Sequence, residues 1–337
     1  MSKPIAVLIS DVHYTLKNLE LADFAFRAAI DKAALLGLPL IDAGDITNDK
    51  AVLRAEIVNR LISTMQYANS KGITPHLMVG NHSLCNEKGS EHSLNFLRPY
   101  ATIVDHTWNL YLPNAPIEEI ILLPYTSSGI EKDLQRCPKG SIVVMHQGFH
   151  GADTGDYVHD KSAISSDLVK DFTVISGHYH RHQTIGTVTY IGSPYTQSFG
   201  EAKDGPKGYL VLNSDGTYTR EILKLRRHRI YEFNNIDHAF EHIAPFGELF
   251  ADAEDLLWIK ITDTKENLDK VKKQDVGDLL GTQNFKLDLI GTEVREEMSQ
   301  SVPIHSLTDA EILDRVIESS GQNPGTVTRL KALWREL

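Results

Sequence analysis

The chain has 337 residues, 41% of them apolar and 23% charged, which is enough for one large core and a smaller unit beside it. A formal net charge of −11 argues against non-specific electrostatic adhesion to nucleic acid as the main activity, although bound divalent cations would reverse the local field. No apolar run approaches the roughly 20 residues that span a bilayer, Asp11 interrupts the first run too early for a signal peptide, and Cys85 and Cys137 form no CxxC pair, so a cytoplasmic protein without membrane segments is expected.

Residues 5–9, 38–41, 77–79, 120–123, 142–145 and 174–175 are short apolar runs bounded by turn residues, the pattern of buried strands. Between them, residues 19–36 place Leu19, Phe24, Phe26, Ala29 and Ile30 on one helical stripe. Residues 51–67 do the same with Leu53, Ile57, Leu61, Ile62 and Met65. Strand and helix in alternation predict a layered α/β domain with helices packed on sheet faces. After Thr187 the pattern turns to strands at 188–191, 209–212 and 217–225, the last two joined by the Asn213-Ser214-Asp215-Gly216 turn.

The first domain is predicted to cover residues 1–231. A small α+β unit follows over 232–291, with a strand at 256–261, a helix at 265–280 and a strand at 285–290. A polar linker covers 292–306. In the tail, 307–337, Thr308 and Glu311 form a capping box, and Leu307 and Ile312 a hydrophobic staple. Pro324-Gly325 break the helix, and Val327, Leu330, Trp334 and Leu337 line a second one. This helix–loop–helix is apolar enough to need a covering surface. The run 224–229 holds four fixed positive charges, which either track a phosphate backbone or mark a solvated strand end.

Five apolar runs end in residues that can bind metal. They are Asp11-Val12-His13, Gly44-Asp45, Gly80-Asn81-His82, His146-Gln147 and Gly177-His178-Tyr179-His180. Ligand sites of open α/β sheets lie at the carboxyl ends of strands, so sequence order predicts convergence. In extended chain, residues two apart project to one side, so Asp11 with His13 and His178 with His180 can serve one centre. Each motif alone is common background, whereas all five in order are not. Mixed imidazole, carboxylate and amide ligands suit first-row ions such as manganese, iron or zinc. A pair of divalent ions needs a shared anionic ligand, for which Asp45 is the natural bridge. Such ions lower the pKa of a bridging water, whose hydroxide attacks phosphorus. His82 is placed to protonate the leaving oxygen or stabilise the transition state.

These motifs resemble the calcineurin-like metallophosphoesterase superfamily over about residues 4–225. The resemblance implies a sandwich of two sheets flanked by helices. It also implies a first ion held by Asp11, His13, Asp45 and His180, and a second by Asp45, Asn81, His146 and His178, with His82 catalytic. Within the superfamily, His146-Gln147 and the run from Tyr190 to Glu201 are similar to the Mre11/SbcD nuclease subunits, and the length and order of the chain resemble their compact phage-type versions. That branch implies a manganese-dependent DNA exo- and endonuclease that processes DNA ends in recombination, repair or replication. It further implies a capping domain after residue 232 and a homodimer formed through helices such as that of Ile57 and Leu61. The C-terminal helices would bind a Rad50/SbcC-like ABC ATPase, which would supply most of the DNA affinity.

Two positions depart from the pattern. Asn48 stands where the family commonly has a histidine associated with exonuclease activity, and Ser83 where an acidic residue is usual, a change expected to affect support of His82. Asn48, Gln147, Tyr195 and Arg227 are the candidate substrate contacts, and Phe149 and Tyr157 could stack on bases or simply pack. His228, His238, His242 and the other scattered histidines are read as ordinary surface or core residues. A stand-alone phosphodiesterase acting on nucleotides or small phosphoesters is the alternative, although it gives the capping unit and the apolar tail no evident purpose.

Overall fold

The computed structural model describes residues 2–86, 91–113, 115–154, 163–250 and 255–292. The tail at 307–337, nearly all of the linker, and Tyr157 lie outside the described residues. The first part of the chain forms β1 (Pro4–Ile9), α1 (Leu19–Leu36), β2 (Leu40–Asp42), α2 (Ala55–Ser70), β3 (His76–Met78) and β4 (Thr102–Val104). It continues with β5 (Trp108–Tyr111), β6 (Glu119–Leu123), α3 (Ile130–Leu134), β7 (Ile142–His146), β8 (Thr173–Gly177), β9 (Gln183–Ile185) and β10 (Val188–Tyr190). Then come β11 (Gly208–Asn213), β12 (Tyr218–Ile222), β13 (His228–Phe233), α4 (Ile236–Phe250), β14 (Leu256–Thr264), α5 (Lys265–Leu268), α6 (Lys273–Leu280) and β15 (Phe285–Thr292).

Two six-stranded sheets, ordered β12-β11-β1-β2-β3-β4 and β5-β6-β7-β8-β10-β9, form the layered α/β body. The apolar runs are continuous rather than alternating because these strands are covered on both faces. Ala6, Leu8, Ile41 and Met78 of the first sheet meet Ile120, Leu122, Val144 and Ile175 of the second in the space between them. The other faces pack against helices. Val7, Ile9, Leu40 and Leu77 meet Phe26 and Ile30 of α1 and Ile57 and Leu61 of α2, while Ile121, Val143 and Met145 meet Ile130 and Leu134 of α3. Each such side chain contributes about 1.5–3 kcal/mol by leaving water. Ile57 and Leu61 are committed to this core, so a dimer contact on α2 would have to use its opposite face. Phe24 is 56% exposed, contrary to its expected place on the α1 stripe. At about 100° per residue it points some 200° away from Phe26, and Ala22, Ala25 and Ala33 complete the buried face instead.

β13, β14 and β15 form a separate parallel sheet. Parallel neighbours require crossovers, supplied by α4 between the first two strands and by α5 and α6 between the last two. Leu257, Ile259 and Ile261 pack beneath Ala239, Ile243, Val276 and Leu280. Because β13 belongs to this sheet, a boundary at residue 231 would cut a strand; the change of sheet falls between Ile222 and His228. The helix expected at 265–280 is two helices. The second starts where the Asp275 carboxylate accepts from the Lys272 N–H. Among the described residues, no helix is long and apolar enough to cross a membrane.

Candidate metal centre

The segments leaving β1 and β2 stay zipped beyond the strands: Asp11 N–H donates to Gly44 O, His13 N–H to Asp45 O and Tyr14 N–H to Ile46 O, at 2.8–3.0 Å. This ladder sets Asp11, His13 and Asp45 side by side at the strand ends. Among the described residues, the non-glycine positions with positive φ are Asp11 (54°), His13 (47°), Asp45 (57°) and His178 (95°). Such conformations cost about 1–3 kcal/mol each and persist where the surroundings over-determine them, commonly at functional sites. All four belong to the ligand set read from the sequence.

Three glycines let the strand ends close on one another. A Cβ at Gly44 would lie 2.8 Å from His146 Cγ, one at Gly80 2.8 Å from Asp45 Cγ, and one at Gly177 2.6 Å from Ala43 O. None of these contacts is tolerable for a side chain.

Two trios of metal-capable residues result, Asp11–His13–His180 and Asp45–His146–His178, each with its ligand atoms within 4.8 Å of one another. Asn81 joins the second trio, its Oδ1 lying 2.9 Å from His178 Nδ1 and 3.1 Å from His146 Nε2. Asp45 Oδ2 sits 3.2 Å from His146 Nε2 and 3.9 Å from His13 Nε2, between the two groups. The donor set fits divalent ions. His13 Nε2 and His180 Nε2 face each other at 3.1 Å, and the buried His13 Nδ1 has no hydrogen-bond partner. Seven nitrogen and oxygen donors converge with no lysine or arginine among them, a mixture suited to first-row divalent metals.

The electrostatics of the two halves differ. Burial, with the neighbouring His180 and His82, pulls His13 down to about 4 against the attraction of Asp45 and Asp11, leaving the neutral ring that ligates metal. Burial also opposes charge on His146, but the Asp45 and Asp11 carboxylates outweigh it and lift that ring to about 9. Asp45 is itself held well below the usual carboxylate range. Burial works the other way and is overcome by His146, His13 and His82.

His82 stands beside this centre. Its backbone N–H donates to Asp45 Oδ1 at 2.8 Å, and its Nδ1 lies 2.8 Å from Asn48 O. A ring donating through Nδ1 keeps Nε2 for other partners. Support of His82 thus comes from the backbone carbonyl of residue 48, and Ser83 is fully buried with no partner for its hydroxyl.

A cavity of about 830 Å³ opens over His13, His82, His178 and His180, with Asn48, Lys17, Gln197 and Arg226 also on its wall. Asn48 thus reaches the cleft, whereas the other three proposed substrate contacts need correction. Gln147 and Tyr195 are 1% exposed and out of reach of a substrate. Tyr195 OH instead donates to Val12 O, fastening the strand-end loop. Arg227 does not line the cavity and donates to Asp204 O; the arginines on the wall are Arg181 and Arg226. Phe149 is core. His228, read as ordinary, lines the cavity beside Leu256 of the third sheet.

Two further residues at the centre were not singled out from the sequence. Glu201 Oε1 lies 2.8 Å from His180 Nδ1. Burial opposes its charge, but His180 and Lys207 hold it down to about 2. Its place in the run from Tyr190 to Glu201 was the available signal. Tyr125 stacks on His178 at 6.1 Å and meets His146 edge-on at 6.2 Å, and no pattern in the sequence marked it.

No protein-family model matches the sequence. The chain is 24% identical over 198 residues to a protein named exonuclease subunit 1 from Enterobacteria phage T4, covering 54% of this chain and 55% of that protein. It therefore spans about half the length of the curated relative it matches. Among solved structures, a hypothetical protein from Thermus thermophilus aligns with 65% of this chain and 98% of its own, at 12% identity and a TM-score of 0.38.

Proposed function

We propose that this chain is a two-metal DNA nuclease of the Mre11/SbcD type. The observation that carries the reading is the convergence of the two Asp–His trios about Asp45, with His82 beside them and with His13, His82, His178 and His180 lining one cavity. The T4 relative's name, exonuclease subunit 1, supports DNA as substrate and a partner protein as companion. Two divalent ions, manganese first, would supply a water of lowered pKa and neutralise charge gathering on the phosphate.

Asp11, His13 and His180 would hold one ion and Asn81, His146 and His178 the other, with Asp45 between them. His82 presents Nε2 to the leaving oxygen and stabilises the charge that develops there. Lys17 and Arg226 give the cavity wall positive charge for the flanking phosphates. The third sheet acts as a capping unit. Trp258, with Lys260 and Lys286 over its ring at 4.5 and 3.4 Å, packs against Phe199 and offers a basic aromatic face to a strand leaving the site. The tail at 307–337 would dock on an ABC-type ATPase that supplies the positive surface an acidic chain lacks, and the chain would dimerise through the outer face of α2.

The test is cleavage of end-labelled linear DNA, duplex and single-stranded, with Mn²⁺. Cutting should occur with the wild type and disappear with chelator or with His82→Ala. Turnover of a small phosphodiester with neither DNA cut, even beside the ATPase, would refute the reading.

A further inference from the structure

The two halves of the centre are supported by different means. In the half containing Asn81, His146 Nδ1 lies 2.7 Å from Ala43 O, so a backbone carbonyl orients that ring. In the other half, the support is a buried ionic network centred on a lysine.

Lys207 precedes β11 and is 4% exposed. Its ammonium donates to Asp204 Oδ2 at 2.7 Å, to His180 O at 2.8 Å and to Ser193 Oγ at 3.0 Å, and pairs with Glu201 Oε2 at 2.9 Å. The same Glu201 grips the His180 ring through Oε1 and accepts from Gln197 N at 3.2 Å. Gln197 Nε2 in turn donates to Asp11 O at 2.6 Å. Lys207 therefore touches His180 at its carbonyl, reaches its ring through Glu201, and reaches Asp11 through Glu201 and Gln197. An ammonium so near a cation site repels the cation. Asp204 and Glu201 offset that charge, which leaves orientation as the benefit.

We infer that Lys207 is a positioning residue that acts through Glu201 to secure the Asp11–His13–His180 ion alone, so that the two ions can be lost separately. Outer partners of metal-ligating histidines fix the tautomer and ring angle, and their removal commonly weakens metal binding by about 10–100-fold. The inference rests on the two-ion reading above.

The test is calorimetric titration with Mn²⁺ of the full chain as wild type, Lys207→Met, Lys207→Arg and Glu201→Gln. Fold is checked by circular dichroism, and spin coupling between paired Mn²⁺ ions by electron paramagnetic resonance. Lys207→Met and Glu201→Gln are expected to keep one ion at wild-type affinity, bind the second at least about 10-fold more weakly, and lose the coupled-pair signal at limiting metal. Lys207→Arg should restore part of it. Should Lys207→Met fail to fold, Glu201→Gln decides by the same criteria. Two ions retained at wild-type affinity, or both weakened equally, would overturn this inference and leave the two-ion reading standing. A wild type that binds fewer than two ions would overturn both.

Discussion

Gly80→Ala offers a clean perturbation of the centre, because it adds one methyl group and removes no ligand. The new Cβ would collide with Asp45 Oδ1 and lie 2.6 Å from Asp45 N and 2.8 Å from Asp45 Cγ, at least 0.6 Å short of the 3.4 Å where ordinary contact begins. Gly80 has no positive φ to forfeit, so the whole effect is collision with Asp45. Metal–ligand distances tolerate about 0.2 Å, so a shift of that size takes the carboxylate out of bonding range. Because Asp45 stands between both trios, both ions should bind at least about 10-fold more weakly, or about 1.4 kcal/mol each. Overpacking should also cost about 1–3 kcal/mol of stability, lowering the melting temperature by roughly 2–4 °C per kcal/mol. Gly72→Ala is the control. Its φ of +75° is strained for alanine, but nothing lies within 4 Å of the new methyl. It should lose about 1 kcal/mol of stability with no change in metal binding. The assays are thermal melting and Mn²⁺ calorimetry on both variants. Wild-type ion affinity in a folded Gly80→Ala protein would refute the claim that Asp45 is held against this glycine to bind metal.

Other outcomes follow from the same geometry. His82→Ala should lose about 10²–10⁴ in turnover while still binding both ions in calorimetry, since His82 lies beside the ligands rather than among them. Mn²⁺ at 100 times its dissociation constant should stabilise the chain by about 2.7 kcal/mol in melts, and excess chelator should remove that gain. Away from the centre, burial opposes charge on Asp105, but hydrogen bonds from His106, His92 and Arg98 outweigh it and hold the carboxyl down to about 2. A depressed folded-state pKa gives stability that is complete above the unfolded value of about 3.9 and is lost as pH falls towards 2. Denaturation of wild type and Asp105→Asn should therefore differ most at neutral pH and converge on acidification.

What the sequence made legible divides along physical lines. The central strands were readable because burial on both faces makes them uninterrupted apolar runs, and the motif residues stood out because five of the six runs are followed within four residues by an Asp, Asn or His of the motifs. Phe24 was misplaced because a stripe drawn by hydrophobicity ignored its angle to Phe26. The first strand of the third sheet was missed because β13 begins inside the basic run 224–229, where charge masks the apolar residues. Gln147 and Tyr195 sit next to the motifs in sequence, yet proximity along the chain does not say which way a side chain turns. The exchange of Arg227 for Arg226 is the same error by one residue. Glu201 and Lys207 gained their roles through contacts 21 and 27 residues away in sequence, at His180, which no local pattern announces.

The position of bound metal tests the two-ion centre most directly. Crystals grown with Mn²⁺ and measured near the manganese absorption edge should show two anomalous peaks about 3.5–4 Å apart. One should lie among Asp11, His13 and His180 and the other among Asn81, His146 and His178, with Asp45 in contact with both. A single peak, or peaks away from these residues at saturating metal, would contradict it.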